Sequence, residues 1–219
     1  MKNYFYILKK CPLFEGIEDE ELKRMLTCLG AKVVEYGKKQ VIFSEGTAPT
    51  YIGLMLEGAA HVEQIDYYGN RTILEKIGAG DVFAEAFACA DIEHLPLDII
   101  ADAPSSVMLI GCSHILRTCE NHCAHHQQLI YNLMRDIANK TIVYHQKMEI
   151  TSKRTTREKL LAYLTLVSKK QGSSRFEIPF NRQELADYLE VERSGLSAEI
   201  SKMKNDGIIN NRKNYFELL

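Results

Sequence analysis

The chain has 219 residues, 46% of them apolar and 26% charged, a balance that excludes a disordered tail and leaves room for two small domains and a connection. No apolar run reaches the roughly 18 residues of a membrane span, and the stretch Tyr4 to Leu8 is too short for a signal-peptide core, so a cytoplasmic protein without membrane contact is expected. The net charge of −2 is unevenly spread: residues 151–219 hold 13 Lys and Arg against 9 Asp and Glu, and residues 1–150 hold 14 against 20, so only the C-terminal part is suited to a polyanion.

Acidic residues precede Leu22, Met25, Leu26 and Leu29 at helical spacing, which predicts a short amphipathic helix over residues 20–29. From Lys32 the period changes. AKVVEY, QVIFSEG, YIGLMLEGAAHVEQI and RTILEKI are short and rich in β-formers, and Gly46, Gly58, Gly69 and Gly80 mark turns 11 or 12 residues apart. LDIIA and SSVMLIG continue the pattern, and regular turns between short strands predict a sandwich or jelly roll. Six cysteines (Cys11, Cys28, Cys89, Cys112, Cys119, Cys123) in a chain of this size read as thiols filling small apolar sites rather than as a disulfide framework.

A long helix is expected from Ser113, with Ser113 as its cap. From Gln127 to Met148 there is neither Gly nor Pro, and Ile130, Leu133, Ile137, Tyr144 and Met148 recur at spacings of three, four and seven. That stripe predicts a dimerisation helix with Lys140 and Thr141 as weak points; the competing reading is a helix packed wholly within one subunit. At its start Cys119, His122, Cys123 and His126 share one helical face. They are candidate ligands for zinc or another soft metal, and Cys119 and Cys123 a candidate thiol switch; the competing reading is a face that packs on the roll. SKRTTREK, residues 152–159, puts four basic residues where the stripe ends and reads as a hinge, before a helix over residues 158–168 and a short FEIPF strand.

The most informative stretch is residues 181–219. Asn181 followed by Glu184 forms a helix-start signal, and Leu185, Tyr188 and Leu189 supply the buried face of a first helix, with small Ala186 admitting a close neighbour. After a turn at Glu190 and Val191, Leu196, Ile200 and Met203 face inward on a second helix whose outer face carries Arg193, Ser194, Ser197, Ser201 and Lys204. Two short helices joined by such a turn predict a helix-turn-helix whose second helix enters the major groove. GII and YFELL, turned by NNRKN, form a wing with Arg212 and Lys213 placed for phosphates, and Arg182 at the start of the first helix is a further DNA contact. The whole is an α+β chain: an effector domain over 1–112, a dimerisation helix over 113–150 and a winged helix-turn-helix over 151–219.

On PLFEGI, YGKKQVIFSEG, GLMLEGAAHV, GAGDVFAE, TTREKLLAYL and NRQELADYLEVERSGLS, in that order, the sequence resembles the Crp/Fnr family, named for the cyclic-AMP receptor protein and the fumarate and nitrate reduction regulator. The resemblance implies an eight-stranded, cyclic-nucleotide-binding-like jelly roll, a dimerising helix and a winged-helix DNA reader. It also implies a homodimer on a two-fold related duplex, working with RNA polymerase. Two positions depart from the family pattern: Ala198 stands where an Arg is usual, removing a guanine contact, and Glu190 stands where Gly is frequent, which strains the backbone if φ is positive.

Cyclic-nucleotide-binding members follow a Gly-Glu pair with an Arg and a Ser or Thr that clamp the phosphate. Here Ala84 precedes Glu85, Leu95 and Pro96 fall at the clamp positions, and no Lys or Arg occurs from Ile77 to Leu116. A cyclic nucleotide is therefore not expected; an apolar pocket of Phe83, Glu85, Phe87, Leu95 and Leu97 would favour an uncharged effector. With only Cys11 before Cys28, the N-terminal iron–sulfur site of oxygen-sensing relatives is not expected either. Haem ligation by His61, His94 or His114 fits the fold but no one of them stands out, and the effector is unassigned. An enzyme of dioxygenase type would need clustered His and carboxylate ligands on strands, and His61 stands alone. The remaining alternative is a ligand- or metal-binding roll, or a thiol or metal redox sensor, with a weakened DNA reader.

Overall fold

The computed structural model describes residues 4–69, 71–116 and 125–219. The chain divides into two compact units, residues 1–139 and 140–219.

The first unit opens with a short helix α1 (Phe5–Lys10), a 3-10 turn (Pro12–Phe14) and α2 (Asp19–Cys28), the last led by three acidic residues that suit a helix N-terminus. Eight strands follow: β1 (Lys32–Tyr36), β2 (Val41–Phe43), β3 (Tyr51–Glu57), β4 (Ala60–Ile65), β5 (Arg71–Ile77), β6 (Val82–Phe83), β7 (Asp98–Ala101) and β8 (Ser105–Gly111), with a short α3 (Glu85–Cys89) after β6. They form two antiparallel four-stranded sheets, β1-β8-β3-β6 and β2-β7-β4-β5. This is the jelly roll read from the sequence. Gly46, Gly58, Gly69 and Gly80 all take positive φ, as the turn spacing required.

Two cores explain why β3 and β8 are almost continuously apolar. Met55, Phe83 and Val107 point into the space between the sheets, with Ala60, Val62, Leu95, Leu97 and Ile99. Ile52, Leu54, Leu56, Met108 and Ile110 alternate with them and face outward, into a second core with Leu13, Leu22, Met25, Leu129 and Leu133. A sheet buried on both faces loses the apolar–polar alternation of a half-exposed one. Gly53 has no side chain because the Phe83 ring occupies its place: a Cβ there would lie 2.3 Å from ring carbons. Gly53→Ala is expected to cost about 1–3 kcal/mol by overpacking, read as a lowered urea midpoint at unchanged m-value.

Helix α4 (Cys112–Leu116) follows β8, and α5 (His126–Thr151) begins after residues outside the described set. The expected cap, Ser113, instead lies within the first turn of α4, because the chain turns helical directly from the end of β8. Part of the stripe expected to dimerise is covered within the chain itself. Leu133 is buried, and Ile130 and Ile137 pack partly buried against the outer core, so these three serve their own subunit. Asn132, fully enclosed on the same side, donates to the carbonyls of Leu13 (3.0 Å) and Glu15 (2.8 Å). The exposed face is a different one: Tyr131, Met134, Ala138, Thr141, His145 and Met148, at alternating spacings of three and four, with Ile142 beside them. Of the expected stripe, Tyr144 and Met148 are exposed, Tyr144 four residues before Met148.

In the second unit α6 (Thr156–Gln171) starts at a complete capping box, with the Thr155 side chain accepting from Glu158 N–H and Glu158 accepting from Thr155 N–H. Then come β9 (Arg175–Glu177), α7 (Arg182–Leu189), α8 (Arg193–Asn205), β10 (Ile209–Arg212) and β11 (Tyr215–Leu218), the strands ordered β10-β11-β9. Leu160, Leu164, Leu185, Leu189, Leu196, Met203 and Phe216 form the core of this winged helix-turn-helix. No helix among the described residues is long and apolar enough to cross a membrane.

Candidate nucleic-acid interface

The helix-turn-helix is built as its sequence implies. Asn181 Oδ1 accepts from the amides of Gln183 (2.9 Å) and Glu184 (3.0 Å), and Glu184 Oε2 accepts from Asn181 N–H at 2.8 Å, closing the capping box at the start of α7. Ala186 is fully buried, where α7 and α8 pack. The turn between them places Glu190 at φ 53°, ψ 54°. That left-handed conformation costs a non-glycine residue roughly 1–2 kcal/mol, so the strain expected at this position is present.

Helix α8 buries Leu196, Ile200 and Met203 and leaves Arg193, Ser194, Ser197, Ser201 and Lys204 exposed on its other side, together with Lys202 and Ala198. The Ser197 and Ser201 hydroxyls donate to the carbonyls of Arg193 and Ser197, each at 3.0 Å, which leaves their lone pairs facing out as acceptors. Ser194 donates to Glu192, whose carboxylate also accepts from Gly195 N–H at 2.9 Å and caps the helix. These bonds hold the Glu192 carboxyl below its ordinary range, the Ser194 hydroxyl contributing most. Glu192 is thus ionised beside Arg193 and sets a negative charge at the leading end of the helix.

Two residues read as hinge turn out to hold the reader together. Arg157 donates through Nε to Glu199 (2.5 Å) and through a terminal nitrogen to Asp206 (2.7 Å), engaging the acidic residues of α8 and its C-cap and leaving Arg193, Lys202 and Lys204, with Glu192 at the leading end, to set the charge of the exposed face. Lys159 Nζ donates to the carbonyls of Leu189 (3.2 Å) and Glu190 (3.3 Å), satisfying the end of α7. The partners are 30 to 49 residues away in sequence, so no local pattern signals these bonds.

The wing returns at Lys213, φ 57°, with Arg212 and Lys213 exposed. Arg182 is partly buried, its guanidinium 6.0 Å from the Phe216 ring centre, and burial lowers its pKa from the ordinary arginine value. Arg182 and Lys213 share the lining of a recess of about 570 Å³ with Phe180, Asn181 and Asn214. The structure therefore gathers Arg182 and Lys213 at one recess and presents the α8 residues along one helical face.

In the roll, Phe83, Leu95 and Leu97 lie in the inner core, Phe87 packs partly buried against it, and Glu85 is buried. Ala84 adopts φ 62°, the conformation for which Gly is best suited. Leu95 is strapped in place by its amide to Thr47 O and its carbonyl from Gly46 N–H, both at 2.9 Å. The histidines weighed as ligands have protein partners. His61 lies between Asp102 (2.8 Å) and Glu63 (2.9 Å), and His94 and His114 each reach a backbone carbonyl at 2.9 Å. Of the candidate metal face, Cys119, His122 and Cys123 lie outside the described residues, and His126 is buried, with Nε2 donating to Ile115 O at 2.6 Å. No group of three or more His, Cys, Asp or Glu suited to a metal occurs among the described residues.

A β jelly roll followed in the chain by a winged helix-turn-helix defines a two-module regulator architecture. The chain matches the cyclic nucleotide-binding domain family over residues 33–122 and the Crp-like helix-turn-helix domain family over residues 158–219. Over 71 residues it is 30% identical to the transcriptional activator protein FnrL of Cereibacter sphaeroides; the match spans 28% of this chain and 29% of FnrL. The c-di-GMP responsive global regulator CLP of Xanthomonas campestris shares the fold with a TM-score of 0.60 at 13% identity, over 92% of this chain and 99% of that one. CprK complexed with OCPA does so with a TM-score of 0.66 at 13% identity, over 91% of each chain. The two matched domains, in this order, are those of a Crp/Fnr-type transcription regulator.

Proposed function

We propose that the protein is a sequence-specific DNA-binding regulator that acts as a homodimer on a two-fold related operator, under an effector other than a cyclic nucleotide. The observation that carries this reading is the outer face of α8: Arg193, Ser194, Ser197, Ser201 and Lys204 are exposed together while the neighbouring acids Glu199 and Asp206 are engaged by Arg157. Arg pairs with guanine in the major groove, Ser accepts from or donates to base edges, and Arg182, Arg212 and Lys213 supply phosphate contacts. Glu192 and Ala198 lower affinity without removing the helix from the groove. In this reading the protein works in the cytoplasm with RNA polymerase and not as an enzyme.

Selection from random-sequence duplexes tests the proposal. One enriched motif with two inverted half-sites about 10 to 10.5 base pairs apart is expected, bound with an affinity that falls steeply with salt. Uniform, salt-sensitive binding without any enriched motif would overturn it.

The effector reading rests on the inner core. A cyclic phosphate needs charge-assisted donors, and the clamp position holds Leu95, 1% exposed and packed among Ile42, Val62 and Ile99. Desolvating a phosphate beside the buried Glu85 costs several kcal/mol. Calorimetric titration with millimolar cyclic AMP or cyclic GMP is expected to give no saturable binding tighter than about 100 micromolar, or about 5.5 kcal/mol.

A further inference from the structure

Of the cysteines described, Cys11 is buried and Cys28 exposed, but Cys89 and Cys112 form a pair. Cys89 is the last residue of α3 and Cys112 the first of α4, and their Sγ atoms stand 3.4 Å apart. Both line a surface cavity of about 340 Å³ with Pro49, Asp91, Ile92 and Leu116. We infer that Cys89 and Cys112 are a redox modification site, a dithiol that closes to an intramolecular disulfide when a small peroxide enters this cavity and reopens with a dithiol reductant.

Geometry favours the bond. A disulfide needs its sulfurs at about 2.05 Å, so roughly 1.4 Å of approach suffices, and both residues sit at helix ends where small adjustments break few backbone hydrogen bonds. Charge favours the product. Burial, then the neighbouring Cys112 sulfur and Glu85, push the Cys89 thiol up to about 12; burial also raises Cys112, opposed by its hydrogen bond with Cys89. Both are thiols at neutral pH, and whichever of the two sulfurs loses its proton can accept the other's S–H across the 3.4 Å gap. A disulfide is neutral and adds no negative charge beside Asp91 in the cavity.

The reaction balances without another partner. The thiolate of one cysteine attacks a peroxide oxygen, the O–O bond breaks, and the leaving hydroxide takes a proton to become water, leaving that cysteine as a sulfenic acid. The sulfur of the second cysteine then attacks the sulfenic sulfur, the S–O bond breaks, and the hydroxyl leaves as water with the second thiol's proton. Two thiols are oxidised and one hydrogen peroxide is reduced to two waters. Because the thiolate is scarce, closure is slow at neutral pH and accelerates with pH, unlike that of a low-pKa sensor thiol.

The test uses the full reduced chain and hydrogen peroxide at pH 7 and pH 8, quenched by alkylation. The two cysteines lie in a segment without Lys or Arg, so digestion at acidic residues such as Glu93 and Asp98 is needed to separate them. A linked peptide pair carrying Cys89 and Cys112 is expected, forming about tenfold faster at pH 8 than at pH 7 and lost on treatment with a dithiol. In Cys112→Ser, Cys89 should be recovered unlinked. The wild-type map decides the matter even if that variant folds poorly: Cys89 and Cys112 fully alkylated after unfolding, or linked only to Cys119 or Cys123, overturns the inference.

Discussion

Replacing Met134 and Met148 together by Glu is expected to leave the protein monomeric at micromolar concentration in sedimentation and to weaken binding to its two-fold operator by about 10²- to 10⁴-fold, the usual worth of a second linked site. Met134 and Met148 are 66% and 60% exposed on the seam of α5. Burying a Met side chain is worth roughly 1.5–3 kcal/mol, and a dimer would bury four of them, comparable with the roughly 8 kcal/mol that separates a micromolar dimer from its monomers. The substitutions also bring like charges together along the seam. Because neither residue belongs to either core, the melting of each unit should change little. A double variant that still sediments as a dimer would place the subunit contact elsewhere.

Arg193→Ala is expected to weaken operator binding by about 1–3 kcal/mol per subunit and to relax specificity at the guanine it reads. Lys213→Ala supplies the contrast: loss of a proposed phosphate contact lowers affinity for all sequences alike and reduces the salt slope by about one. Anisotropy titrations of both variants against matched and guanine-substituted operators separate the two roles. Equal losses on every duplex for Arg193→Ala would move the reading residue elsewhere on the exposed face of α8.

The elements most legible in the sequence were those with local chemistry. Asn181 and Glu184 announce α7 because both bonds of the capping box close within four residues, and the glycines of the roll announce turns because positive φ is costly for other residues. The face of α5 was not legible in the same way. Ile130, Leu133 and Ile137 form one apolar line and Tyr131, Met134 and Met148 another, and periodicity alone does not decide which line the rest of the subunit covers. The covering core, made of α1, α2 and the outward side chains of β3 and β8, is a tertiary fact. Helix α3 escaped notice because five residues do not show a period. The Cys89–Cys112 pair was hidden for the same reason as the Arg157 bonds: its members are 23 residues apart and meet only through the packing of α3 on α4.

Strand β3, with β8 beside it, is a partition between two filled chambers. On one side Met55 and the Phe83 ring seated over Gly53 belong to the interior of the roll; on the other, Ile52, Leu54 and Leu56 share a core with Leu129 and Leu133 of α5. Protein interiors pack at about the density of organic crystals and have little compressibility. A change of volume inside the roll is therefore expected to press on the core beneath α5 through the thickness of one sheet.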